Sequence, residues 1–230
     1  MNTISRCLCA CAVALAASAM AAQDVTYKPF KHYTDRVAQF AKMPPVDSCD
    51  IVMLGNSLTE FGGDWGKLLH SPVVVNRGIA GDDATGIYHR LSQILPGRPR
   101  AIFLMVGIND ISHGLTASQV ASAVKKVIAA IRRESPSTKL YVQSLLPINE
   151  SFGKWKLLEG KTGAVGEVNS LLSAYCNDKG IAYVDLYSKF VRRGTNTLRR
   201  ELTTDGLHLS AQGYKLWAFE LRRHVMQLTR

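Results

Sequence analysis

The stretch DIVMLGNSLTE, residues 50–60, changes from apolar to polar residues at its middle. Its first half is a short apolar run at 51–54, which predicts a strand that is covered on both faces. Its second half places Ser57 at the point where that strand ends. A serine at a strand end is either a turn former or a nucleophile held at the edge of a sheet. The rest of the chain is needed to choose between these two interpretations.

Four more short apolar runs follow, with helical patterns between and around them. The runs lie at residues 73–75, 101–106, 140–142 and 181–184. Apolar residues at helical spacing predict helices at about 30–41, 116–133 and 211–228. Strands that alternate with helices to the end of the chain predict an α/β fold. We expect a single-domain three-layer sandwich, a five-stranded parallel sheet flanked by helices as in flavodoxin-like proteins.

The first residues of the chain differ in composition from the rest. Residues 1–22 contain Arg6, an apolar stretch and the small residues Ala19-Met20-Ala21, which is typical of a secretory signal peptide with its cleavage site. We therefore expect a mature domain at residues 23–230 that is secreted or periplasmic. No later apolar segment reaches the length of about 20 residues that a membrane-spanning helix needs, so we expect no membrane span.

Charge and composition limit the partners and cofactors of this domain. The formal net charge is +10, but the basic residues are scattered as pairs, so we expect solvated helix faces and no nucleic-acid partner. The histidines show no metal-ligand spacing and residues 23–230 contain no C-x-x-C motif, so we expect no metal and no cofactor. Cys49 and Cys176 remain after removal of the signal, and the sequence leaves open whether they form a disulfide.

Glycines and an asparagine follow the second and third apolar runs. The segment NRGIAGDDATG contains Gly78 and Gly81 before a helix that begins near Asp83. A glycine amide there can face bound negative charge, or the segment can be a tight turn capped by Asp82 or Asp83. The segment VGIND contains Asn109, whose side-chain amide can donate to an oxyanion or form a turn.

The segment DGLH lies just before the last predicted helix and contains Asp205 and His208. This spacing lets the carboxylate accept from Nδ1 of the imidazole while Nε2 faces the site. Because ligands bind beyond the carboxyl ends of the strands in such sheets, the strand-end residues are expected to meet at one edge. Together they supply a nucleophile, a base, its orienting partner and oxyanion donors, as acyl transfer requires. The combination favours Ser57 as a nucleophile.

The segments GNSL, NRGIAGD, GIND and DGLH resemble the four blocks of the SGNH hydrolases, also called the GDSL esterase family. The resemblance spans residues 55–208 and implies a serine ester hydrolase on a five-stranded parallel α/β fold. It implies Ser57 as nucleophile, His208 as base and Asp205 as the partner of that base. It also implies an oxyanion hole formed by the Ser57 amide, the Gly81 amide and the Asn109 side chain.

The resemblance does not choose the substrate, because the family includes esterases of several kinds. We favour acetyl groups on a carbohydrate, since no long apolar insertion is available to cover a fatty chain. The long irregular stretch 146–163 contains Trp155, which either stacks on a sugar ring or simply packs within the loop. Asn56, where the family name has Asp, is a second candidate for substrate binding. A short acyl group also suits the resemblance to the branch of platelet-activating-factor acetylhydrolase-like enzymes.

Two alternatives to this function remain open at this stage. The first is a lysophospholipase or other lipid esterase, which a preference for long acyl chains would favour. The second is a non-catalytic glycan-binding protein on a hydrolase scaffold, which would bind without turnover. The natural substrate, the position of the acyl group, the oligomeric state and the role of the positive charge are not determined by the sequence.

Overall fold

The computed structural model of the protein describes residues 28–230, so the predicted signal peptide lies outside the described residues. Parallel strands form a five-stranded sheet in the order β2-β1-β3-β4-β5. Their bounds are β1 Ile51–Gly55, β2 Val74–Gly78, β3 Ala101–Met105, β4 Lys139–Gln143 and β5 Ala182–Val184. The predicted five-stranded parallel sheet is confirmed.

Helices connect the strands and cover the sheet. They are α1 Lys31–Lys42, α2 Ser57–Glu60, α3 Trp65–Leu69, α4 Ala84–Arg90, α5 Ile108–Ser112, α6 Ala117–Glu134, α7 Thr162–Asp178, α8 Tyr187–Phe190 and α9 Ala211–Leu228. Helix α6 packs on α4 and α7, whereas α3 packs on α9, so that helices flank the sheet in a three-layer α/β fold. Thr116 and Gln119 form the predicted capping box at the start of α6.

The sheet differs from the prediction chiefly at β2, which continues to Gly78 instead of ending at residue 75. This strand lies at the edge of the sheet, where its polar residues find partners outside the sheet. The side chain of Asn76 donates to the backbone carbonyls of Thr59, Glu60 and Gly63. The polar residues of this edge strand interrupt its apolar run, so a pattern of continuous apolar residues does not predict its full length.

Strands β1 and β3 are buried along their whole length and form the centre of the core. Trp65 and Trp217 pack edge to face beside them, with ring centroids 5.0 Å apart. Cys176 is a free thiol in this core and Cys49 is a free thiol at the surface, so the two do not form a disulfide. Within residues 28–230, no helix is long and apolar enough to cross a membrane.

Candidate active site

Ser57, His208 and Asp205 form a hydrogen-bonded chain at the carboxyl edge of the sheet. Nε2 of His208 lies 3.0 Å from Oγ of Ser57, and Nδ1 lies 2.8 Å from Oδ2 of Asp205. A carboxylate only accepts hydrogen bonds, so the Nδ1 proton faces Asp205 and leaves Nε2 free to accept from the serine hydroxyl. The structure thus brings together the three residues to which the sequence analysis assigned the roles of nucleophile, base and orienting acid.

Ser57 owes its position to the abrupt change from strand to helix. Strand β1 ends at Gly55, Asn56 caps the next element, and Ser57 is the first residue of the short helix α2. The backbone N–H of a first helical residue has no intrahelical acceptor, so the Ser57 amide is available to a ligand. The hydroxyl of Tyr214 on α9 holds α2 in place by donating to the carbonyl of Leu58 over 2.9 Å.

Asn56 does not have the position predicted for a substrate contact. Its side chain is fully buried, and Oδ1 accepts a hydrogen bond from the backbone N–H of Leu58 over 3.0 Å. A side chain without exposed surface cannot touch a ligand in this conformation. The prediction that Asn56 binds substrate is therefore corrected, because the residue caps α2 beneath the nucleophile.

Asp205 is held in its charged form by the loop that carries it. Burial by itself raises the pKa of Asp205, but hydrogen bonds from the His208 ring and from the backbone amides of Leu207 and His208 outweigh it. The net effect lowers the pKa below the ordinary value of an aspartate. The hydrogen bonds from the two backbone amides, 2.9 and 2.7 Å long, also fix the position of the carboxylate next to the imidazole.

The two candidate glycines of the oxyanion hole differ in what their amides do. The N–H of Gly78 donates to the Asn76 side chain over 2.8 Å. The N–H of Gly81 has no acceptor among the residues that the structure describes. Gly81 has a φ of +85°, and a Cβ there would meet the ring of Phe30 at 3.0 Å. The geometry favours Gly81 as the donor, in the backbone conformation that glycine adopts without strain.

Asn109 is the side-chain candidate for the oxyanion hole, and it follows β3 on the first turn of α5. Its Nδ2 donates one hydrogen bond, over 2.7 Å, to the carbonyl of Asp82. The side-chain amide carries a second N–H, and the residue is only partly buried. Asn109 can therefore be anchored to the loop of Gly81 and still donate to a ligand.

The candidate turn residues Asp82 and Asp83 have separate roles. Asp83 is the cap of α4, because its side chain accepts from the backbone N–H of Gly86 over 2.8 Å. Asp82 is fully buried and pairs with Arg90 over 2.7 Å. Burial raises the pKa of Asp82 to about 6, and the Arg90 guanidinium opposes that rise.

Two exposed aromatic rings flank the imidazole of His208. The Trp155 ring meets it edge on with centroids 5.0 Å apart, and the Phe61 ring lies 5.1 Å away. Trp155 is 41% exposed and Phe61 is 53% exposed. The sequence predicted Trp155 but not Phe61, whose signal is its place four residues after Ser57, directly beyond the end of α2. Large exposed rings beside the candidate base are available to contact a ligand.

The loop that carries Trp155 is fastened at both ends. The backbone N–H of Asn149 donates to the carbonyl of Gly206, next to Asp205, over 2.7 Å. The carboxylate of Glu150 accepts from the backbone N–H groups of Gly160 and Thr162, which closes the loop upon itself. These bonds place Trp155 against the loop of His208. Nothing in the local sequence indicates that the two loops are in contact.

A cleft of about 330 Å³ opens between Asn109 and the Trp155 loop. Its apolar lining comes from Trp155, Leu157, Leu158 and Leu207. Lys154 and Lys156 also line it. The volume is at the lower end of the range of about 300 to 1,000 Å³ found for small-molecule sites. Across residues 28–230, no group of three or more His, Cys, Asp or Glu side chains could hold a metal ion.

The chain is similar in sequence and in fold to a group of known proteins. The family model of the GDSL-like lipase/acylhydrolases matches residues 53–216. An Arabidopsis thaliana GDSL esterase/lipase, CPRD49, is 27% identical over 207 residues, with 77% of this chain and 78% of the relative covered. The human platelet-activating factor acetylhydrolase IB subunit alpha1 is 27% identical over 170 residues, with 72% and 70% covered.

A solved structure shares the fold at lower sequence identity. The structure of a Bacteroides fragilis protein described as an acylhydrolase superposes with a TM-score of 0.76 at 21% identity. The alignment covers 89% of this chain and 100% of the other. At this identity the likeness concerns the arrangement of strands and helices alone.

Proposed function

This chain belongs to the GDSL-like lipase/acylhydrolase family and is a carboxylic ester hydrolase, and from that premise we propose that it acts through an acyl-enzyme on Ser57. The observation that carries the proposal is the hydrogen-bonded chain from Ser57 through His208 to Asp205. The bond from Ser57 to His208 is within the length at which a base can take a proton, and the bond from His208 to Asp205 orients the imidazole. The free amides of Ser57 and Gly81 and the second N–H of Asn109 complete the set of groups that ester hydrolysis needs.

In the first half of the reaction, Oγ of Ser57 attacks the ester carbonyl while Nε2 of His208 takes the hydroxyl proton. The negative charge that develops on the carbonyl oxygen is stabilised by the three donors of the oxyanion hole. His208 then gives its proton to the leaving alcohol. In the second half, His208 takes a proton from water, the hydroxide attacks the acyl-enzyme, and Ser57 recovers its proton.

For the acyl group we propose acetyl, carried by a carbohydrate or a similar small alcohol. The support from the relatives is the name acetylhydrolase, borne by a protein that is 27% identical to this chain. The support from the structure is the pair of exposed rings, Phe61 and Trp155, beside the base that protonates the leaving alcohol. Aromatic faces of this kind suit the apolar face of a sugar ring. Secretion or export to the periplasm, expected from residues 1–22, would bring the enzyme to such substrates.

A lipid esterase is the second candidate, and one observation favours it. The 330 Å³ cleft beside Asn109 has leucine and tryptophan walls, and Leu157 in it is 70% exposed. Exposed apolar surface next to an oxyanion donor suits an acyl chain longer than acetyl.

Hydrolysis of p-nitrophenyl acetate, butyrate and octanoate by the purified protein tests the proposal. We expect activity that is highest on acetate and is lost in Ser57→Ala. Ser170→Ala on the exposed face of α7 is the matched control, because its hydroxyl bonds only to the carbonyl of Gly166 in its own helix. Activity that survives Ser57→Ala would contradict the acyl-enzyme, and activity that rises with chain length would assign the cleft to lipids.

A further inference from the structure

Arg90 lies at the centre of the segments that carry the proposed oxyanion donors, although it is only 2% exposed. Its Nη2 donates to the carbonyl of Gly55 over 2.9 Å, two residues before the nucleophile. Its Nη1 donates to the carbonyl of Arg77 over 2.8 Å, at the end of β2. Its Nε donates to the carboxylate of Asp82 over 2.7 Å. One planar guanidinium therefore connects the ends of β1 and β2 with the loop that follows β2.

Asp82 carries this connection on to the third donor. It follows Gly81 directly, so its ion pair with Arg90 restrains the loop in which the Gly81 amide lies. Its own N–H donates to the carbonyl of Ile79 over 3.1 Å, and its carbonyl accepts from Nδ2 of Asn109 over 2.7 Å. The segments of Ser57, Gly81 and Asn109 are thus linked through Arg90 and Asp82.

We propose that Arg90 and Asp82 are positioning residues that set the mutual distances of the three oxyanion donors. The inference rests on the proposed function, since it assumes that those donors stabilise an oxyanion. Neither side chain touches substrate, and both act through the backbone and through Asn109.

The pair is poorly suited to a purely stabilising role. Both side chains are removed from water, and a buried ion pair gains little stability over apolar residues of similar volume. One carboxylate oxygen of Asp82, Oδ1, has no hydrogen-bond partner among the described residues. The cost of burying that charge also appears in the raised pKa of Asp82. What the pair provides is a rigid, directional link between loops, which apolar packing does not supply.

Asp82→Asn is the first test, because it keeps the volume and the backbone carbonyl but removes the charge that holds Arg90. We expect kcat on p-nitrophenyl acetate to fall by about 10²-fold with KM little changed, the effect of a displacement of about 1 Å. Thr138→Val is the matched control. Thr138 lies directly before the amino end of β4, and its buried hydroxyl donates to the backbone carbonyl of Pro99. We expect it to lower the melting temperature without lowering kcat.

A double-mutant cycle with Asn109→Ala separates positioning from general loosening of the fold. If Asp82 acts by placing Asn109, Asp82→Asn should cost much less in the Asn109→Ala background than in the wild type. Equal losses in both backgrounds, or a wild-type kcat in folded Asp82→Asn, would overturn the inference. If Asp82→Asn shows no cooperative melting transition, Arg90→Lys is measured in its place, with the same loss of kcat expected and the same outcomes decisive.

The two proposals fail in different ways. If the acyl-enzyme proposal is wrong, Ser57→Ala retains activity whatever the Asp82 variant does. If only the positioning role is wrong, Ser57→Ala is inactive while Asp82→Asn keeps the wild-type kcat.

Discussion

Replacing Gly81 by alanine tests the oxyanion hole, because the proposed donor is a backbone N–H whose position depends on the conformation of this glycine. With a φ of +85°, the position is one that glycine adopts freely but that a residue with a Cβ enters at a cost of about 1–2 kcal/mol. The new Cβ would also lie 3.0 and 3.2 Å from two atoms of the Phe30 ring. A shift of the Phe30 ring by a few tenths of an ångström would relieve the contact, whereas the backbone strain is relieved by rotating the peptide whose N–H faces the site.

We expect two separable losses from Gly81→Ala. Stability falls by about 1–2 kcal/mol from the backbone strain, which corresponds to about 2–4 °C in melting temperature for each kcal/mol in a domain of this size. The kcat on p-nitrophenyl acetate falls by about 10²- to 10³-fold, the loss measured when one oxyanion donor is removed. A strain of this size cannot by itself produce the loss of kcat, because most of the enzyme remains folded at 25 °C.

Gly180→Ala is the matched control for strain. Its φ is +61°, a Cβ there would meet nothing within 4 Å, and it precedes β5 at the edge of the sheet away from β2. It should lose stability without losing kcat. The double variant Phe30→Ala, Gly81→Ala removes the ring contact but not the strain, so it should recover part of the activity. A folded Gly81→Ala enzyme with wild-type kcat would refute the assignment of this amide to the oxyanion hole.

Three further predictions concern Asp205, the buried carboxylate of Asp110 and the exposed ring of Trp155. Asp205→Asn should lower kcat by about 10⁴-fold in steady-state assays, because an amide no longer holds the imidazole in the active tautomer. Burial raises the folded pKa of Asp110 to about 6, so the wild type should lose stability relative to Asp110→Asn as the pH rises from about 4 to 6. Urea titrations at each pH measure the free energies of unfolding of both proteins, and the difference between them should change by up to about 3 kcal/mol over this range. A difference that does not depend on pH would contradict the raised pKa of Asp110. Trp155→Ala should raise KM for acetylated sugars by about 2- to 10-fold, the value of one aromatic contact, and an unchanged KM would remove the ring from the binding site.

Some features were out of reach of the sequence because they depend on partners far along the chain. Phe61 and Trp155 contact the same imidazole, although strands β2, β3 and β4 lie between these two residues in the sequence. Asn56 looks like a residue of the site, but its side chain turns inward to cap α2. Arg90 resembles any basic residue at the end of a helix until its three hydrogen bonds are seen.

The alternation of strands and helices and the identity of the residues at the strand ends could be predicted from the sequence alone. Both are local properties, because apolar runs and turn residues are read within a few positions. Parallel strands bring their carboxyl ends to one edge, so residues at those ends must converge whatever the details of packing. The convergence of Ser57 and Asn109 could therefore be predicted from the strand ends, whereas Asp205 and His208, in the loop before the last helix, were assigned to the same site from their chemistry and from the resemblance to the family.

Which groups at that edge are available for bonding to a ligand depends on the packing of the folded chain. The amide of Gly78 is occupied and that of Gly81 has no acceptor within residues 28–230, although both glycines lie in one short segment. The buried charges of Arg90 and Asp82 join strand ends that the sequence shows only as separate pieces. The physical reason is that a hydrogen-bonding group is available or occupied according to its neighbours in space, which a linear pattern does not specify.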